Sequence, residues 1–369
     1  PTPHMSKVTE RISIDGHPVS DETFVRIWDE IRPYLQIVDD ELTAAGEPRL
    51  TYFECLTILG FAIFADQPVN VAVIEVGLGG ITDATNVGDG LVSVVTPISL
   101  DHTDLLGDTT EEIAYEKAGI IKPGGYLISA SQPVDAAQVL LEKAKEVAVP
   151  FRFEGVEFGV ESRTVAVGGQ VVSIQGIAGR YPELLLPLHG AHQAQNAAVA
   201  VAALEAFFGG EKELDAEVLQ EAFASVTSPG RLEVVRTAPT IIVDAAHNPD
   251  GIRVSAEAIQ EAFTFTRLVP VVGVLKEKDA EEILRQLKES LGDIAQEYCF
   301  TQSNSPRAVP AAELAELAAE MGFGEDNIHI AEKLDDAIEW AVERAEANDD
   351  LSGGVLVTGS ITLVAEARI

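Results

Sequence analysis

Residues Glu75–Asn86 read EVGLGGITDATN, and they follow the apolar run Val71-Ala72-Val73-Ile74. A run of this kind, bounded by turn residues, predicts a buried parallel strand, with Gly77, Gly79 and Gly80 letting the chain turn tightly after it. Glu75 is then expected at a strand's carboxyl end, the edge of an open α/β sheet where ligands collect. A second apolar run, Leu91 to Leu100, carries Asp101 and His102 to the matching end of a neighbouring strand. Shortly after, EKAGIIKP (Glu116 to Pro123) places Lys117 on a helix opened by Thr109-Thr110-Glu111-Glu112, with acids suited to a helix N-terminus. A carboxylate, an imidazole and a lysine thus share one short α/β stretch.

Working outward, a helix is expected over Thr51–Phe64, a strand near Tyr126–Ser129, and a long Ala-rich helix over Ala191–Phe208. Residues 151–187 carry short Val-rich runs broken by glycines, which predicts an antiparallel excursion. Thr227-Ser228-Pro229-Gly230 is the best linker, and the alternation restarts beyond it. Strands are expected over Leu232–Val235, Thr240–Val243, Leu268–Val274, near Tyr298 and over Gly354–Thr358, with helices after Pro249, over Ala280–Leu291, and around 311–321 and 334–347. The expected organisation is a first domain over 1–227, a hinge at 228–230 and a smaller α/β domain over 231–369, each built on a mostly parallel sheet.

Composition narrows the function. The 369 residues are 46% hydrophobic and 23% charged, an ordinary globular balance, but 60 acids against 25 bases leave a formal charge of −35. That field repels nucleic acid and anionic membrane surfaces, so neither is expected as a partner, and any anionic ligand must be met by local donors. Most of the acidity reads as a solvated surface suited to a salt-rich cytoplasm. Cys55 and Cys299 stand far apart in apolar surroundings, as reduced thiols of a cytoplasmic protein would. No run reaches the roughly 20 apolar residues that span a bilayer, and PTPHMSKVTERI (Pro1 to Ile12) has no signal-peptide pattern.

Eight blocks, in order, carry a resemblance: TPHMSKVTERI (Thr2–Ile12), EVGLGGITDATN (Glu75–Asn86), SLDHTDLLG (Ser99–Gly107), EKAGIIKPG (Glu116–Gly124), HGAHQAQNAAVA (His189–Ala200), PGRLEVV (Pro229–Val235), DAAHNPDG (Asp244–Gly251) and TGSITLVAEAR (Thr358–Arg368). Together they resemble the folylpolyglutamate synthase and dihydrofolate synthase family of the Mur ligase group. The resemblance implies a P-loop-type ATPase domain followed by a Rossmann-like domain. It also implies a monomeric ligase that uses ATP to activate a folate or dihydropteroate carboxylate as an acyl phosphate, which the amine of L-glutamate then displaces.

By that resemblance, two magnesium ions are expected, with Glu75 holding the first and His102 the second. Lys117 would be carbamylated, which turns a cation that repels magnesium into an acceptor; Lys122 reads as ordinary. Asn196 resembles the adenine-side amide, Arg231 the phosphate-contacting arginine and Asp244 the acid that holds the ribose. His247 and Ser360 resemble residues that position glutamate, while His4, Glu10 and Arg11 would lie near the pterin-bearing substrate. The active site is expected in a cleft between the domains, closing about the 228–230 hinge.

Two departures stand out. No GxxGKGS-type phosphate-binding turn occurs in these residues, so it is expected upstream of Pro1, and little ATP turnover is expected without it. Ile81 stands where the family usually has arginine after GLGG. Three other readings stay open on the residues alone: a noncatalytic nucleotide- or folate-binding fragment, a cell-wall Mur-type amino-acid ligase, and a dinucleotide oxidoreductase. The last rests on Gly77, Gly79 and Gly80, which lack the spacing of a dinucleotide fingerprint.

Overall fold

A computed structural model describes residues 4–100, 103–347 and 352–368. The chain divides into two compact units, Pro1–Phe153 and Glu154–Ile369. The expected hinge at 228–230 therefore falls inside the second unit.

The first unit opens with a small hairpin, β1 (Ser13–Ile14) and β2 (His17–Pro18), followed by helices α1 (Asp21–Ala44) and α2 (Tyr52–Asp66). A reciprocal cap starts α2: the Thr51 hydroxyl accepts from the Glu54 N–H, and the Glu54 carboxylate accepts from the Thr51 N–H. Its Leu56, Leu59 and Ile63 pack with Ile12 and Ile27 into a local core. Then come β3 (Val92–Val95), α3 (Thr103–Leu106), α4 (Thr110–Ala118), β4 (Tyr126–Ser129), α5 (Val134–Glu146) and β5 (Phe151–Phe153). Strands β3, β4 and β5 form a three-stranded parallel sheet in that order. Thr109 and Glu112 cap α4 as Thr51 and Glu54 cap α2.

Three expectations are corrected here. Residues 71–76 form no strand and pair with none among the described residues, and Val73 is 91% exposed. The reason is physical: apolar residues favour a strand, but the ladder exists only where a neighbouring backbone supplies donors and acceptors. Glu75 consequently sits on unpaired chain. The second run is strand only from Val92 to Val95, because Gln132 takes over the backbone beyond it, its side chain donating to the Thr96 carbonyl and accepting from the Ile98 N–H. Pro97 between them has no N–H to give. Finally, Phe151–Phe153 belongs to the parallel sheet and not to the antiparallel excursion.

The second unit begins with that excursion, an antiparallel sheet of β6 (Gly159–Ala166), β7 (Gly169–Gln175) and β8 (Arg180–Leu186). Helix α6 (Ala191–Phe207) packs on β6 and β7, and α7 (Ala216–Ala224) follows. Next come β9 (Glu233–Thr237), β10 (Thr240–Asp244), α8 (Pro249–Ala262), β11 (Arg267–Val272), α9 (Ala280–Leu291), β12 (Tyr298–Phe300), α10 (Ala311–Glu320), β13 (Ile328–Ile330), α11 (Leu334–Ala345), β14 (Gly353–Thr358) and α12 (Ile361–Ala367). The six strands lie in the order β13-β12-β11-β14-β10-β9, parallel except for β9. Strands β10, β11 and β14 are buried almost throughout, and Ile283, Leu284, Leu287 and Leu291 of α9 pack with Ile242, Val272 and Phe300 in the main core. This buried sheet fixes the positions of its strand ends.

Candidate active site

In the first unit the glycine-rich loop is folded onto the end of α4. A Cβ on Gly80 would stand 2.4 Å from the Glu116 carbonyl oxygen, and one on Gly119 would stand 2.4 Å from Ile81. Only glycine permits backbone approach this close. The Ile81 N–H donates to the Glu116 carbonyl, and the Asn86 side chain donates to the carbonyls of Ile81 and Gly119. Asp83 organises the loop from within, accepting from the N–H groups of Gly77, Leu78 and Thr85. The half-buried Lys117, in the last turn of α4, thus lies against the loop that follows Glu75. Glu75 is exposed, and its carboxylate has no partner among the described residues.

Arg11 and Glu75 both line a cavity of about 100 Å3, together with Phe53, Phe61, Phe64 and Ile74. The Arg11 guanidinium donates to His4 Nδ1 at 2.9 Å. Burial and the neighbouring Arg11 charge hold the His4 imidazole below its ordinary pKa, so the ring is an acceptor at neutral pH. Glu10 is occupied by its own loop: it accepts from the N–H groups of Met5 (2.8 Å), Ser6 (3.0 Å) and Lys7 (2.8 Å). Those donors lower its pKa although burial opposes them. Asp101 and His102 lie outside the described residues, and among the described residues no three His, Cys, Asp or Glu side chains are grouped to hold a metal.

In the second unit four expected residues meet at two adjacent strand ends. Asp244 ends β10 opposite Thr358, which ends β14. The buried Asp244 carboxylate accepts from Leu232 N (2.9 Å), Ala246 N (3.0 Å) and Ser255 Oγ (2.7 Å). That ties Arg231, one residue before Leu232, to the end of β10. His247 Nδ1 lies 2.9 Å from the Ala245 carbonyl oxygen, which can only accept, so Nδ1 is the donor in this contact. Ser360, two residues beyond β14, is buried and caps α12, accepting from Leu363 N. The Gly359 N–H donates to the Ala246 carbonyl, which locks the two strand ends together.

Asn196 is exposed on α6 and donates to Gln193 at 3.2 Å. Its helix reaches the same neighbourhood: His192, one turn earlier, feels the charges of both Asp244 and Arg231, though burial is what chiefly lowers its pKa. The Arg231 side chain is exposed and makes no hydrogen bond or ion pair with any described residue. An unpaired, exposed guanidinium beside a carboxylate fixed by backbone donors can meet an anion bidentately. Cys299, by contrast, is buried with its thiol pushed up to about 12, and it is not a nucleophile.

Several contributors were not singled out from sequence. Asp83 carries a local signal, an Asx residue opening a short turn. Ser255, His192, Glu233 and Arg368 carry none, because their partners are distant in the chain.

Comparison with known proteins matches residues 39–204 to the Mur ligase middle domain and 230–361 to the Mur ligase glutamate ligase domain. The chain is 43% identical over 387 residues to the Mycobacterium tuberculosis dihydrofolate synthase/folylpolyglutamate synthase, covering 100% of this chain and 78% of the relative. It is 33% identical to the Bacillus subtilis protein of the same name, covering 100% and 82%. Among solved structures, M. tuberculosis folylpolyglutamate synthase complexed with ADP and AMPPCP superposes with a TM-score of 0.93 at 43% identity, covering 100% of this chain and 83% of that one. Escherichia coli FolC in complex with DHPP and ADP superposes with a TM-score of 0.81 at 29% identity, covering 100% and 80%.

Proposed function

The chain belongs to the Mur ligase family, in its dihydrofolate synthase/folylpolyglutamate synthase branch, and from that premise we propose that it joins L-glutamate to the carboxylate of a folate at the expense of ATP. The observation that carries this reading is the 43% identity across 100% of the chain to a relative named for the activity.

The chemistry has two steps. A carboxylate oxygen of the folate, or of dihydropteroate, attacks the γ-phosphorus of ATP and ADP leaves. The amine of glutamate then attacks the acyl carbon, phosphate leaves, and the amine gives up a proton. Both steps bring anions together, so catalysis is mostly positioning and charge management. Arg231 suits a phosphate because its fork is unpaired while its backbone is fixed. Asp244 and Asn196 are assigned to the nucleotide, and His247 and Ser360 to glutamate. His4, Glu10 and Arg11 are assigned to the pterin-bearing substrate. The ligase domains are proposed over 1–227 and 231–369, and the protein as a monomer.

Magnesium, when bound, supplies charge neutralisation of the phosphates. Glu75 fits this role, being an exposed oxygen donor with no protein partner. Lys117 as an ammonium does not fit it; carbamylated, it would, and His102 is assigned to the second ion. Among the described residues no helix is long and apolar enough to cross a membrane.

A noncatalytic nucleotide-binding reading draws on one observation, the lack of a GxxGKGS-type turn in these 369 residues. Phosphate release separates the two. It is measured on this chain and on the full-length product of its gene, with ATP, magnesium, glutamate and either tetrahydrofolate or dihydropteroate. The ligase reading expects release from the full-length product that requires both glutamate and a folate. Silence with every folate leaves the binding reading standing.

A further inference from the structure

We propose that Glu233 and Arg368 are positioning residues: their ion pair latches the turn bearing Arg231 onto the last helix, and so sets where the Arg231 guanidinium meets a nucleotide phosphate. The inference rests on the reading of Arg231 given above. Arg368 forks across the Glu233 carboxylate, Nε to Oε2 at 2.7 Å and a terminal nitrogen to Oε1 at 3.1 Å. The two side chains are only 26% and 30% exposed. A bidentate pair shielded to this degree holds geometry better than a surface ion pair does.

Glu233 also faces inward. Its Oε2 accepts from Gly230 N at 2.7 Å, so one carboxylate grips both the turn and α12. The Gly230 carbonyl accepts from Ala245 N (2.8 Å), and Leu232 N donates to Asp244. Leu232 itself has φ +47°, a left-handed conformation that is unfavourable for leucine and persists only where its surroundings over-determine it. Here they do: the Leu232 side chain is buried in the main core, and the bonds around Gly230 and Asp244 hold its backbone on both sides. Arg231 thus stands between two pinned residues while its own side chain stays unpaired.

The other end of the latch is equally anchored. Glu366, on α12, accepts from the backbone N–H and side-chain amide of Asn304, and Thr362 shares a hydrogen bond with Ser303. Ser360 caps the same helix. The pair therefore places the proposed phosphate residue and a proposed glutamate residue in one frame, across 135 residues of chain.

Binding of AMPPCP with magnesium, measured by calorimetry, tests this on Arg368→Ala, Glu233→Gln, Arg231→Ala, the double Arg231→Ala/Arg368→Ala and the exchanged pair Glu233→Arg/Arg368→Glu. Amide exchange at Leu232 and Ala245 is followed in each. Arg368→Ala is expected to weaken AMPPCP about fivefold and to speed exchange at both amides. In the Arg231→Ala background the same change is expected to add nothing, because it acts through Arg231. The exchanged pair is expected to recover part of the affinity. Loss that adds fully in the double variant, or unchanged affinity in Arg368→Ala, overturns the latch. Unchanged affinity in Arg231→Ala instead overturns the reading of Arg231 on which it rests.

Discussion

The two parallel sheets of this protein meet the same kind of sequence and give different results. In the second unit the apolar runs at β10, β11 and β14 pair side by side and are buried almost completely. In the first unit the equally apolar run 71–76 pairs with nothing among the described residues, and Val73 stands 91% exposed. An apolar run is thus a capacity for a strand, realised only when a neighbour completes its hydrogen bonds. The consequence reaches the chemistry. Asp244, at a true strand end, is held by three donors, whereas Glu75, at the end of an unpaired run, is held by none among the described residues.

Substitution in the two runs should break this comparison most sharply if it is wrong. Ile242→Ala removes a fully buried side chain and is expected to cost the second unit about 3 kcal/mol, while Val73→Ala in the first should stay within about 0.5 kcal/mol. Denaturant unfolding read by Trp340 reports the second unit and by Trp28 the first. A large loss at Val73 would mean that its run is packed after all.

The carboxylates should show the next largest contrast. Asp244→Ala strands the N–H groups of Leu232 and Ala246 and the Ser255 hydroxyl, for an expected loss of about 2–3 kcal/mol. Glu75→Ala is expected to leave stability within about 0.5 kcal/mol while abolishing the magnesium dependence of AMPPCP binding. Equal destabilisation by both would erase the distinction between a fixed and an unfixed acid.

Gly80→Ala probes a place where the first unit is as tight as the second. Its Cβ would meet the Glu116 carbonyl at 2.4 Å, so a cost of about 1–2 kcal/mol is expected in the Trp28 transition. No loss there would show that the loop does not pack on Lys117.

The smallest effect concerns pH. Burial holds the imidazoles of His189 and His192 below their ordinary value of 6.5. The unfolded chain therefore takes up protons first. Stability from these groups is fully present above about pH 6.5 and is lost as pH falls through that value toward the lower folded pKa values. The Trp340 transition should move to lower denaturant between pH 7 and roughly pH 5, and His192→Gln should flatten the slope. A first-unit transition that shifted more would reverse the expectation.

Much of this was legible in the residues. Helix α9 could be bounded at Ala280 and Leu291 because Asp279 caps it and Gly292 ends it, with leucines recurring on one face. Strand β4 was equally plain, an apolar run after Gly124-Gly125. The long helix α1 was not, since Pro33 sits inside it and only Ile27 and Leu35 are buried. The motifs named Arg231, Asp244, His247 and Ser360, but not how they are held. The Asp244 carboxylate closes onto residues eleven and twelve positions away, and Glu233 onto Arg368, contacts that no local pattern announces. The fate of the run 71–76 was hidden for the same reason, because pairing is a property of two segments and a periodicity describes one.

The most direct test of the ligase account labels the acceptor carboxylate of the folate with oxygen-18 and follows the label during turnover by the full-length protein with ATP, magnesium and glutamate. An acyl-phosphate route predicts one labelled oxygen in each phosphate released, together with a glutamylated folate. Phosphate released without label, or label retained while ATP is consumed, would contradict it.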